Sequence, residues 1–161
     1  MKKYIGVDIG KNGGIAIIDG NQIDLHKMPL IGNQIDIKEL SRLVNHKDSV
    51  VVFEKLNSIF GTTKNTAFSM GHQVGILETI CALNNLSFAE VPAKTWQKEM
   101  FQGVSEVKKT DGKRNTKAMA EIAATRLFPT VSLKTSSRQT TNQDGVIDAL
   151  LIAEYAKRKN L

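Results

Sequence analysis

At 161 residues, 41% hydrophobic and 24% charged, the chain is long enough to bury a sizeable core as one domain, residues 1–161, without staples. A single cysteine, Cys81, excludes an intramolecular disulfide and a cysteine-based zinc site, and fits a reducing, intracellular (cytoplasmic) compartment. Nothing resembles a signal peptide, and no apolar run approaches the roughly 18 residues of a membrane span.

The net charge of +6 is concentrated in one stretch. Between Lys94 and Arg138 lie ten Lys/Arg against four acids, while the rest of the chain balances. That is the footprint of a polyanion partner. By charge alone, nucleic acid, an acidic membrane and a merely soluble basic face remain open.

In chain order, Lys3 to Asp19 (KYIGVDIGKNGGIAIID) is two apolar runs joined by a Gly/Asn turn, which predicts a β-hairpin. The continuous apolar character of the first run places it centrally in its sheet. Asp8 lies inside that run, where a carboxylate is costly to bury. It either caps the Gly-rich turn or is a metal ligand on a rigid strand. A third strand is expected over Gln22 to Met28, ended by Pro29, and a helix over Asp36 to Asn45 from the spacing of Ile37, Leu40, Leu43 and Val44. Ser49 to Phe53 is a run of β-formers leading straight into Glu54, either solvated beyond the strand or a second functional carboxylate.

After a polar lead-in, Ala67 to Leu83 has helical spacing, with Ala67, Gly71, Gly75 and Thr79 on one face. Glycine costs a helix about 1 kcal/mol against alanine, so that face needs a closely approaching neighbour, either the sheet or the same helix of a twin subunit. A short strand over Ser87 to Val91 precedes a helix over Pro92 to Met100, whose Trp96 suits core packing better than base stacking. Gln102 to Asn115 is polar and basic, expected to be a mobile arm that orders on a partner. Thr116 to Phe128 is helical and Thr130 to Gln143 a polar loop. Asp144 to Lys159 is a final helix with basic residues at its C-terminal end.

Asp144 and Asp148 are four residues apart and share a helical face. N-capping accounts for Asp144 but not for Asp148, which sits among Val146, Ile147, Ala149, Leu150 and Leu151. If the last helix packs across the strands bearing Asp8 and Glu54, four carboxylates converge. Mg²⁺ would relieve their repulsion, and two such ions about 3.5–4 Å apart would suit in-line phosphodiester hydrolysis.

The ordered segments IGVDIGKNGGIAIID, VVFEKLNS, FSMGHQVGILETI, VPAKTWQK and DGVIDALLIAEY resemble the RuvC Holliday junction resolvases of the ribonuclease H-like superfamily, and among them the phage-type members. The resemblance spans nearly the whole chain. It implies an α/β, ribonuclease H-like fold: a mixed five-stranded sheet flanked by helices. It also implies a homodimer acting on branched DNA, with two Mg²⁺ per site (Mn²⁺ a substitute), no membrane and no small-molecule cofactor. Carried over, Asp8, Glu54, Asp144 and Asp148 fall on metal-binding catalytic positions. Asp144 stands one residue off the bacterial Asp-x-x-Asp spacing. Lys94 and Lys117 match backbone-contacting lysines, with Lys113 a rival to Lys117. Phe60 or Phe68 matches an aromatic at the junction centre, and Ala67, Gly71 and Gly75 match the dimer contact. DNA contacts are expected from Lys11, Lys64, Phe68, Lys94, Lys98, Lys108, Lys109, Lys113, Arg114, Lys117, Lys134 and Arg138.

The expected activity is Mg²⁺-dependent cleavage of four-way junctions. The alternatives are a ribonuclease H-like nuclease for RNA–DNA hybrids, flaps or forks, or a junction-binding protein that does not cut. An actin-like nucleotide binder needs two such domains, and 161 residues hold one.

Overall fold

The computed structural model describes residues 2–56, 63–135 and 143–161. Strands β1 (Lys3–Asp8), β2 (Gly14–Asp19) and β3 (Gln22–Lys27) form an antiparallel meander. A small hairpin follows, β4 (Leu30–Ile31) and β5 (Gln34–Ile35), which the sequence pattern did not predict. The chain continues through α1 (Ile37–Val44), β6 (Ser49–Glu54), α2 (Lys64–Leu83), β7 (Ser87–Val91), α3 (Ala93–Met100), α4 (Thr116–Leu127) and α5 (Asp144–Lys159). The main sheet has the order β3-β2-β1-β6-β7, with β6 parallel to both β1 and β7. The mixed, helix-flanked five-stranded sheet is therefore present, and β1 is its central strand.

Strand alternation divides the core in two. Tyr4, Ala16, Ile18, Val50 and Val52 face α3, α4 and α5. Ile5, Val7, Ile15, Ile17, Val51 and Phe53 face α1 and α2. Helix α5 is the hub of the first layer, with ten of its residues buried from Gly145 to Ala156. It reaches β1 because glycine stands where the two backbones meet. A Cβ on Gly6 would collide with the Ala149 carbonyl oxygen and lie 2.6 Å from the Ala153 nitrogen. A Cβ on Gly14 would lie 2.7 Å from the Val146 Cα. At its N-terminus α5 is tied to the β1–β2 turn by a parallel bridge between Gly13 and Gly145.

Several predicted boundaries shift. Helix α2 starts at Lys64, three residues before Ala67, because the Thr63 hydroxyl caps the Thr66 N–H at 3.2 Å. Pro92 is the N-cap of α3 rather than its first residue, and Gln143 rather than Asp144 is the N-cap of α5. The larger correction concerns Gln102 to Asn115, expected as an arm ordered only by a partner. Its distal half closes on itself as a tight hairpin turn. Lys109 N–H donates to the Lys113 carbonyl, Gly112 N–H to Lys109 and Asn115 N–H to Val107, at 2.7 to 2.9 Å. Gly112 supplies the positive φ of 79°. No helix among the described residues is long and apolar enough to cross a membrane.

Candidate active site

The α5-side face of the sheet carries Tyr4 and Gly6 on β1, and Val50 and Val52 on β6. Two-residue periodicity puts Asp8 and Glu54 on that same face at the C-terminal ends of adjacent parallel strands. Each lies one residue beyond the last registered pair, Val7 with Phe53. The glycine contacts that seat α5 on β1 and β2 bring Asp144 and Asp148 over the same end. A cleft of about 710 Å³ opens there, lined by Asp8, the Gly10–Gly13 turn, Lys27, Met28, Leu30, Lys117, Gln143, Asp144, Gly145 and Asp148. Glu54 is not part of its lining. It stands beside Asp8, half-buried, with the Trp96 indole N–H donating to its Oε2 at 3.4 Å.

Electrostatics show how closely these groups are coupled. Burial, then the charge on Glu54, pushes the Asp8 carboxyl from an ordinary 3.8 to about 7, with Asp144 adding to the shift and Lys117 opposing it. Asp148 is pushed to about 7 by burial and then by Asp8, Glu54 and Asp144, again against Lys117. Glu54 is raised by burial and held down in part by the Trp96 hydrogen bond. Asp144 is exposed and pairs with the Lys117 ammonium at 2.7 Å, which raises the lysine. Glu54 is inside its strand, half-buried, rather than solvated beyond it. Burial and neighbouring charges, not a capping hydrogen bond among the described residues, set the Asp8 carboxyl.

The donor set is all carboxylate oxygen, the chemistry that suits a hard dication such as Mg²⁺. It is convergent without being a closed cage. Among the described residues, no three acidic, histidine or cysteine side chains are drawn in tightly enough to hold one ion as they stand.

Of the described residues expected on DNA, only Lys11 and Lys117 line the cleft. Lys64 opens α2, and Phe68 is 78% exposed beside it, stacked on His72. Lys94 and Lys98 are exposed on α3, and Lys108, Lys109 and Lys113 on the basic turn. Arg114 is engaged locally, its guanidinium over the Phe101 ring and its Nε donating to the Met119 sulfur at 3.3 Å. Lys134 lies away from the cleft, beside Asn21 to His26. Arg138 and Phe60 lie outside the described residues. Lys27 was missed, although its place follows from hairpin register: a turn at Gly20–Asn21 pairs Lys27 with Gly14, next to the β1–β2 turn that lines the cleft. On α2, a Cβ at Gly71 or Gly75 would meet nothing within 4 Å, so the sheet is not the neighbour of that small-residue face.

Two solved structures of Thermus thermophilus RuvC share this architecture. One, in complex with a Holliday junction substrate, superposes with a TM-score of 0.58 at 10% identity, covering 99% of this chain and 96% of that one. The other gives a TM-score of 0.60 at 13% identity, covering 98% and 96%. This chain has the RuvC fold. Its β1 carboxylate, β6 carboxylate and α5 carboxylates thus stand at one end of a RuvC-type sheet, along nearly the full length of both chains. No protein-family model and no curated protein matches the sequence.

Proposed function

We propose that this chain is a divalent-metal-dependent endonuclease that cuts four-way (Holliday) DNA junctions as a homodimer. The observation that carries the reading is the convergence of Asp8, Glu54, Asp144 and Asp148, from three separate elements, at a cleft flanked by Lys11, Lys27 and Lys117. The RuvC fold, seen in one neighbour with a junction substrate bound, supports it. The sequence resemblance to phage-type resolvases points to the phage-like branch and to action inside a cell.

Asp8, Glu54, Asp144 and Asp148 would hold two Mg²⁺, with Mn²⁺ a substitute. When bound, these ions supply an activated hydroxide and counter-charge for the leaving oxygen of a phosphodiester. The carboxylates of Asp8 and Asp148 must ionise to serve, and a bound dication would offset the burial that raises their pKa. Lys117 is bonded to Asp144 and is free to transfer its ammonium to a phosphate oxygen entering the cleft. Lys11 and Lys27 border the same opening as further phosphate contacts. Lys94, Lys98, Lys108, Lys109 and Lys113 extend the positive surface beyond it. Phosphate contacts fix position without reading sequence, so selectivity for junction shape is expected to dominate.

The homodimer reading rests on α2. Phe68, Met70 and Leu83 are exposed on it, and a Cβ at Gly71 or Gly75 would meet nothing within 4 Å among the described residues. Two copies would give the two active sites that a four-way junction needs.

A second reading, a junction-binding protein that does not cut, is favoured by the open geometry of the acids, no three of which are gathered around one point among the described residues. Cleavage of a synthetic four-way junction in Mg²⁺ by the wild type and Asp8→Asn separates the two. The nuclease reading expects cutting by the wild type and loss of at least about 100-fold in the variant, with junction binding retained. Equal rates would overturn the metal assignment, and binding without cutting by the wild type would favour the second reading.

A further inference from the structure

We propose that Trp96 is a positioning residue for Glu54, its indole N–H holding one oxygen of that carboxylate so that the other is presented to the metal cluster. The inference rests on the reading of Glu54 as a metal ligand.

Trp96 is 1% exposed and packs edge-on to Phe101 at 6.0 Å, 79° between planes, among Val52, Val91 and Met100. Packing alone would be met by phenylalanine or leucine. Tryptophan adds one buried N–H that needs an acceptor, and the acceptor here is Glu54 Oε2. Two features suit that bond to orientation rather than charge balance. The donor is neutral and does not titrate, so it leaves the negative charge of Glu54 available to a cation, unlike an ammonium such as that of Lys117 on Asp144. It is also rigid, because the ring is fixed in the core by α3 and β7, and it constrains the carboxylate plane of a side chain otherwise free to rotate. At 3.4 Å the bond is long, as catalytic hydrogen bonds often are before the site is assembled. Partners of this kind typically contribute 10- to 100-fold in metal affinity.

Trp96 is also the only tryptophan in the chain, so tryptophan emission reports on this indole and its surroundings, Glu54 among them. Titration of the metal-free full chain with Mg²⁺ is expected to give a saturable change in emission, at the midpoint found by calorimetry. Mn²⁺ affinity is then measured by calorimetry in the wild type, Trp96→Phe, Glu54→Gln and the double variant. A purely structural role for Trp96 would weaken binding equally with or without Glu54. Positioning instead expects Trp96→Phe to weaken Mn²⁺ binding about tenfold in the wild-type background and not in the Glu54→Gln background. Replacing Trp96 with benzothienylalanine, which keeps the bicyclic shape and removes only the N–H, is expected to weaken Mn²⁺ binding similarly while leaving the metal-free melting temperature within a few degrees. Unchanged affinity in the analogue, equal losses in both backgrounds, or no emission change on calorimetrically proven Mg²⁺ binding would each overturn the positioning role and leave the nuclease reading standing. A wild type that binds neither Mg²⁺ nor Mn²⁺ would overturn both.

Discussion

Asp8 and Asp148 are placed where a negative charge is costly, and that cost has a sign in pH. Both carboxyls move from an ordinary 3.8 to about 7 in the folded chain, chiefly by burial and then by their acidic neighbours. Between about pH 4 and 7 the folded state therefore binds more protons than the unfolded state, and stability falls as pH rises through that window. Above pH 7 the loss is complete. Without divalent cations, Asp8→Asn is expected to be more stable than the wild type at pH 8 by roughly 1–3 kcal/mol, the gap closing by pH 4. Denaturant melts in chelator at the two pH values check this, and the same gap at both would contradict the coupling. Both aspartates could be picked out from sequence because each interrupts an apolar pattern that leaves no ordinary place for it. Lys27 was overlooked although the predicted hairpin register leads to it, whereas the Trp96–Glu54 bond could not be read, because it joins residues 42 apart through a side-chain atom that no periodicity records.

Helix α5 turns scattered acids into a site, and glycine lets it do so. Gly6 sits where a side chain would meet the α5 backbone itself, at the Ala149 carbonyl and the Ala153 nitrogen. Backbone cannot yield as a side-chain tip can. Gly6→Ala is expected to destabilise the fold by roughly 3 kcal/mol and to displace Asp148 from Asp8. A melt unchanged from wild type would show that α5 does not depend on this contact. The elements themselves were largely legible, because strong apolar runs and a clear helical face fixed β1, β2, β6, α1 and α5 to within a residue or so. The basic turn was not. Its composition is that of a disordered arm, yet Gly112 at positive φ and three backbone hydrogen bonds close it, and Arg114 anchors it on Phe101. Turn closure of that kind depends on dihedral angles rather than polarity. The β4–β5 hairpin, two residues a strand, was too short to leave a pattern.

At the scale of the whole molecule, the sheet divides the labour. One face is filled by α3, α4 and α5 and carries the acids, while the other packs against α1 and α2. The outer side of α2 is left with Phe68 78% exposed and Leu83 77% exposed, around glycines where an added Cβ would meet nothing within 4 Å among the described residues. If that face joins two copies, Gly71→Arg is expected to halve the sedimentation mass while the monomer still melts cooperatively. A wild type that sediments as a monomer at tens of micromolar would contradict the dimer. Sequence left the partner of this face undecided between sheet and second subunit, because helical spacing defines a face and not what covers it. The measurement that bears most directly on the proposed nuclease activity is single-turnover cleavage of an immobile four-way junction in Mg²⁺, comparing the wild type with Asp148→Asn at matched junction occupancy. The convergence of carboxylates predicts strand cutting by the wild type and a loss of at least about 100-fold in the variant. Equal cutting by both, or an intact junction after saturating wild-type protein and Mg²⁺, would contradict it.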